Sequence, residues 1–133
     1  MIDAYRIEVE VTAPLHPTEL PERVEGAITS LFPEAEVEER PGELVGRARA
    51  MDRFAERLRE QEIVDTARDV FRRSVEGEAF AFDLKKQAAH EGVVNFAVGN
   101  PDELGDLHVR VRVEEPSVEA FIDGLAPRTD AGA

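Results

Sequence analysis

Two stretches of strict alternation, one near each end of the chain, constrain the fold most. Tyr5, Ile7, Val9 and Val11 alternate with Arg6, Glu8 and Glu10. Leu107, Val109, Val111 and Val113 alternate with His108, Arg110 and Arg112. A period of two sends apolar side chains to one face of a strand and charged ones to the other. Each stretch is therefore a half-buried strand with one wet face. A chain holding two of them needs a sheet that is covered on one side only.

The residues between supply the cover. Pro14 and Pro17 break the first strand, and Thr18 is placed to cap a helix whose apolar positions are Leu20, Val24, Ala27, Ile28 and Leu31. Phe32-Pro33 ends it, because a residue before proline is driven out of the α region. Ala35 to Glu38 reads as a short exposed strand, Pro41-Gly42 as a turn, and Leu44 to Ala48 as the returning strand. A helical region runs from about Asp52 to Val75, but its apolar phase slips around Glu60 to Glu62, which predicts a kink or two helices. Phe80, Phe82 and Leu84 alternate as another strand, and Val93 to Val98 reads as a further one after a break at Lys85 to Gly92. Gly99 to Asp102 forms a loop, and Pro116-Ser117 opens a last helix carrying Val118, Phe121, Ile122 and Leu125. The expected order is β-α-β-β-α-α-β-β-β-α. Strands and helices do not alternate regularly, so the fold class is α+β: a mixed, mainly antiparallel sheet with helices packed on one face. Residues 1–127 form one domain and 128–133 a frayed tail.

Composition removes several function classes. The chain has no cysteine, which excludes disulfides, thiol catalysis and cysteine-held metals. His16, His90 and His108 show no ligand spacing, and no phosphate-binding glycine loop or nucleophile motif is present. We therefore expect no catalytic residues, no metal and no cofactor. No apolar run reaches the eighteen residues of a membrane span. The first residues alternate with acids instead of forming a secretory signal, so a cytoplasmic location is expected.

Charge is the next constraint. The formal net charge is −13, with 29 acidic and 16 basic residues. Only Lys85 and Lys86 are lysines; every other basic residue is arginine. Many carboxylates with few lysines is the composition of a protein for molar salt, where lysine stems expose methylenes and carboxylates hold water. At such salt the Debye length is about 3 Å, so self-repulsion is screened. The charge is also uneven: residues 1–39 carry −8, residues 40–90 carry +1 and residues 91–133 carry −6. An anionic partner would have to meet the middle segment.

Two groups in that segment carry binding chemistry. Lys85 and Lys86 precede Gln87, Ala88 and Ala89: two point charges for phosphate, an amide for hydrogen bonds, and small residues that permit close backbone approach. Arg47, Arg49, Arg53, Arg57 and Arg59 form a run, followed by Arg68, Arg72 and Arg73, with Arg68 and Arg72 on one helix face. Guanidinium groups grip phosphate with two donors and stack on bases. The competing reading is a helix face laced by pairs such as Arg53 with Glu56 and Arg57 with Glu60.

Four segments together resemble a known family. Gln61 to Arg68 is similar to a motif RQ-I-L-D-T-A-R, and Phe82 to Ala89 to F-x-L-N-K-Q-A-A. Gly92 to Phe96 is similar to G-K-V-N-F, and Leu104 to Val111 to L-G-x-I-x-V-x-I. These resemble an uncharacterised archaeal family labelled RNA-binding protein, over about residues 3 to 126, and this chain looks like a haloarchaeal-type member. The resemblance implies a fold similar to the large-subunit ribosomal protein that contacts the smallest ribosomal RNA. Some relatives carry the domain behind a P-loop nucleotide-kinase-like domain. The motif residues fall on Arg68, Lys86, Gln87, Ala88, Ala89 and Asn95; Lys85 departs from the family's Asn and adds a charge. The expectation is an RNA-binding module without catalysis. Lys85, Lys86, Arg68, Arg72 and Arg73 would sit on phosphates, with Gln87 and Asn95 on bases or sugars. Structured RNA is the expected partner, with no DNA and no membrane. The alternative is a protein-interaction or homodimeric assembly module that pairs through the strand near Glu36. A nucleotide-linked accessory role is a third reading; it needs a pocket lined by Lys86 and Arg68.

Overall fold

The computed structural model describes residues 5–97 and 105–128. In it, the alternation at the two ends becomes the centre of the sheet. Strand β1 (Arg6–Pro14) pairs antiparallel with β5 (Asp106–Glu115) on one side and with β3 (Glu43–Ala48) on the other. Beyond β3 lies β2 (Glu36–Arg40), and beyond β5 lies β4 (Ala79–Lys85), so the sheet order is β2-β3-β1-β5-β4. All four pairings are antiparallel. Ile7, Val9, Val11 and Ala13 of β1 and Leu107, Val109, Val111 and Val113 of β5 are buried on one face. Glu8, Glu10, His108, Arg110 and Arg112 are exposed on the other.

Helices cover the apolar face. Helix α1 (Pro21–Leu31) buries Val24, Ala27, Ile28 and Leu31. Thr18 lies outside it; Pro21 starts the helix, because its fixed φ and missing N–H suit the first turn. The long helical region divides into α2 (Asp52–Glu60) and α3 (Val64–Arg73), and Glu62 takes a left-handed φ of 57° at the junction. The phase slip in the sequence thus marks a real break. Helix α5 (Val118–Leu125) opens on Ser117, whose hydroxyl accepts the Ala120 N–H at 3.1 Å. Phe54, Phe71, Phe80 and Phe82 pack between helices and sheet, with Phe71 5.0 Å from both Phe80 and Phe82 between ring centroids.

The α+β class and the helices on one face agree with the sequence reading. One stretch differs. The break after β4 holds a short helix, α4 (Lys86–His90), and the residues expected as a strand from Val93 contribute one bridge, Leu84 to Phe96. The reason is competition for backbone partners. Val94 gives its N–H and C=O to the Gln61 side chain, at 2.8 and 2.9 Å, and the Gly92 carbonyl accepts from Arg57 Nε at 2.6 Å. Groups satisfied by side chains of α2 and its end are not free for a ladder. Val98, the loop expected at Gly99 to Asp102, and the tail beyond Arg128 lie outside the described residues.

Candidate nucleic-acid interface

The two lysines point in different directions. Lys85 ends β4, and its N–H donates to the Asn95 carbonyl at 2.8 Å. Lys86 begins α4 with its side chain turned inward and is only 2% exposed. Its Nζ donates to the Pro14 carbonyl at 2.7 Å and to the two Glu19 oxygens at 3.1 and 3.2 Å. Glu19 Oε1 also accepts the His16 N–H at 3.0 Å. Burial alone would raise the Glu19 carboxyl, but the His16 N–H and the Lys86 ammonium outweigh it and hold it below the usual carboxylate range. This ion pair ties α4 to the connection between β1 and α1. Ala89 is fully buried, and its carbonyl accepts from Ser30 Oγ of α1 at 2.6 Å. The small residues of the segment therefore admit a helix at close range. Gln87 and Asn95 are exposed.

The arginines of α3 also divide. Arg68 is 13% exposed; its Nη2 lies 2.7 Å from Asp123 Oδ1, and its Nη1 donates to the Ala126 carbonyl at 3.1 Å. Ala126 is the C-cap of α5, so the guanidinium satisfies one of that helix's orphan carbonyls and meets its negative end. Arg72 and Arg73, in the last turn of α3, are exposed. With Arg68 and Arg128 they line a depression of about 450 Å³ that also includes Asp65 and Asp69. Four guanidinium groups and two carboxylates line it, and Asp123, which pairs with Arg68, lines an adjoining depression with Glu119, Arg68 and Arg72. Arg128 carried no signal in the sequence, since only the fold brings it to α3.

The arginine run that precedes α3 is scattered. Arg53 pairs with Glu56, and Arg57 with Glu60 at 2.6 Å, as an ordinary helix face. Arg47 lies on the open face of the sheet, 3.5 Å from Glu10 and 3.9 Å from Glu38. On that face Glu8 stands opposite Arg112 and Glu10 opposite Arg110 across the ladder, and Asp83 lies 2.8 Å from His108. A shallow basin of about 550 Å³ there is lined by Glu8, Glu10, Glu34 and Glu36 against Arg47, Arg49, Arg110 and Arg112, so its charges cancel. No cluster suited to a metal ion occurs among the described residues. No helix of the described residues is long and apolar enough to cross a membrane.

The expected site residues thus fall into two places and an interior. Lys85, Gln87 and Asn95 gather at the end of β4, Arg72 and Arg73 stand beside Arg128, and Lys86 lies within the fold. Arg68 lies mostly beneath the surface of the α3 depression.

Comparison with known proteins agrees with the fold. Residues 8–114 match a family model described as RNA binding. A UPF0200/UPF0201 protein of Archaeoglobus fulgidus is 38% identical over 130 residues, covering 97% of this chain and 40% of that protein. The chain thus spans less than half the length of that relative. A UPF0201 protein of Methanopyrus kandleri is 41% identical over 138 residues, covering 93% of this chain and 87% of the relative. The crystal structure of a UPF0201 protein from Methanococcus jannaschii superposes with a TM-score of 0.86 at 35% identity, covering 95% of this chain and 97% of that one. The chain belongs to the archaeal UPF0201 family and matches, over residues 8–114, the family model described as RNA binding.

Proposed function

We propose that this protein is a non-catalytic RNA-binding module of the archaeal cytoplasm, suited to high salt, and that it takes the RNA backbone in the arginine depression of α3. One observation carries the reading: three exposed arginines, Arg72, Arg73 and Arg128, gathered in one depression on a chain whose net charge is −13. Arg72, Arg73 and Arg128 contact phosphates, and Arg68 holds the floor of the depression to α5. Lys85, Gln87 and Asn95 provide a second set of contacts at the other end of β4. Lys86 contributes by fixing α4, not by touching RNA. At molar salt the counterion-release contribution is small, so two-donor grip, shape and stacking supply the affinity. The family description supports the same reading.

The test is crosslinking and sequencing of bound RNA in a high-salt archaeal host, with wild type against Arg72→Glu/Arg73→Glu. Reversal of two phosphate-contacting charges lowers recovery by roughly tenfold or more. Equal recovery from the two proteins removes the α3 depression from the reading. A second reading keeps one support: β2 is a sheet edge with Glu36, Glu38 and Glu39 exposed, open to pairing with a second copy. Sedimentation showing a stable dimer, together with no recovered RNA, would put assembly in its place.

A further inference from the structure

A second cavity, separate from the α3 depression, lies where the start of β1, the start of α2 and the end of α5 meet. Tyr5, Met51 and Phe121 form its apolar wall, and Arg49, Asp52 and Arg59 stand at its mouth. Its volume is about 280 Å³, just under the range of about 300 to 1,000 Å³ typical of small-molecule pockets. It therefore has room for one ring system. Gly124 is needed there: a Cβ would lie 2.8 Å from Tyr5 Oη, whose hydroxyl donates to the Ala120 carbonyl at 3.2 Å. The Tyr5 ring stands edge-on to Phe121 with centroids 5.2 Å apart, so the wall is aromatic and held in place.

The charges at the mouth define the occupant. Arg53 and Arg57, on the same helix as Arg59, are paired with glutamates. Arg49 and Arg59 are exposed and make no ion pair among the described residues. Two exposed guanidinium groups beside an apolar wall suit an anion carrying an apolar group; Arg49 stands at the border of this cavity and the open-face basin. Asp52 narrows this further. Its carboxylate can accept from the exocyclic amine of a base, a contact that a fatty acid does not offer. The cavity and the proposed backbone site both meet the end of α5, through neighbouring residues. Leu125 lines the cavity, while the next residue, Ala126, accepts the Arg68 guanidinium.

We propose that this cavity holds one unpaired nucleotide of the bound RNA, its base against Tyr5 and Phe121 and its phosphate between Arg49 and Arg59. The proposal rests on the RNA-binding reading and adds that the RNA must offer a single-stranded position. Single-strand recognition commonly places bases on aromatic side chains and phosphates on arginine.

The chain has one tyrosine and no tryptophan, so its intrinsic emission reports on this cavity alone. Titration of the full chain with a mixed-sequence single-stranded RNA hexamer, corrected for absorbance, should quench Tyr5. A duplex of the same sequence should leave it within about a tenth of its starting intensity. Arg49→Glu/Arg59→Glu should abolish the quench while circular dichroism melting stays unchanged, since both side chains are exposed. Arg72→Glu/Arg73→Glu should weaken binding but leave the quench at saturation. RNA that crosslinks to the protein without quenching Tyr5 would overturn the nucleotide pocket and leave the RNA reading standing. Quenching by a single-chain fatty acid and not by the hexamer would make the occupant a lipid and overturn the proposal. Absence of any RNA binding in both crosslinking and fluorescence would overturn both readings.

Discussion

The lysine corner at α4 and the arginine depression on α3 look alike in the sequence, and the fold uses them in opposite ways. Each begins as a short basic group in the near-neutral middle of an acidic chain. At α4 the second lysine disappears into the interior, where three acceptor atoms surround its ammonium. On α3 the last two arginines stay in solvent, and the first anchors another helix. The choice of side chain follows the task. A compact ammonium on a flexible stem can reach a small buried acceptor cluster, and its three N–H donors can meet acceptors in different directions. A planar fork suits a carboxylate and a helix-end carbonyl at once, as Arg68 shows. A rare lysine in an arginine-rich chain here marks an interior site.

Removing Lys86 breaks the comparison most strongly. Lys86→Ala leaves the Glu19 carboxylate and the Pro14 carbonyl without their partner, and loss of one half of a buried pair costs about 3–5 kcal/mol. Denaturant unfolding should show that loss. The pair also gives the protein a pH signature. Glu19 is held below its ordinary value, so the stability it contributes is complete above about pH 4.3. That contribution is lost as pH falls through the lowered folded value. Wild type and Glu19→Gln should therefore differ at neutral pH and converge in acid. A constant difference from neutral to strongly acidic pH would show that the Glu19 charge does not supply this stability.

Next in size is Arg68. Arg68→Leu keeps the packing stem and removes the guanidinium, leaving the Ala126 carbonyl and Asp123 unpaired. The cost is about 1–3 kcal/mol, because a mostly buried acceptor loses its donor. Thermal melting reads the stability, and RNA recovery reads whether the depression survives. If stability falls and recovery holds, Arg68 is purely a strut.

The regularities of period were legible in the sequence, and the long-range pairings were not. The two central strands followed from alternation, and the division of α2 from α3 from the slip at Glu60 to Glu62. The residues from Val93 misled because an apolar run resembles a strand, while what holds it is a side-chain clamp from Gln61. The exposed Arg72 and Arg73 could be read from helical spacing alone. The burial of Lys86 could not, since its acceptors lie 72 and 67 residues away in the chain. Arg128 likewise reaches its place only once α3 and α5 meet, and the Arg49–Arg59 mouth exists only once β1, α2 and α5 meet. The resemblance singled out four segments, and several of their residues hold the fold: Gln61 binds Val94, Arg68 caps α5 and Lys86 pairs with Glu19.

The smallest expected effect sharpens the comparison from inside the lysine corner itself. Gln87 is exposed and Lys85 is half-buried, beside a lysine that is buried entirely. Gln87→Ala removes only an exposed amide and should change stability by no more than about 0.5 kcal/mol. Denaturant unfolding measures this directly against the several kcal/mol expected for Lys86→Ala. The paired measurement of RNA recovery then separates two roles within one segment. If Gln87→Ala lowers recovery with stability intact, the corner has a binding edge as well as an interior strut, and RNA reaches from α3 to the end of β4. If recovery is unchanged, the segment acts only through its buried half. RNA contact then contracts to the arginines, and Lys86-Gln87-Ala88-Ala89 serves to fasten α4 against α1.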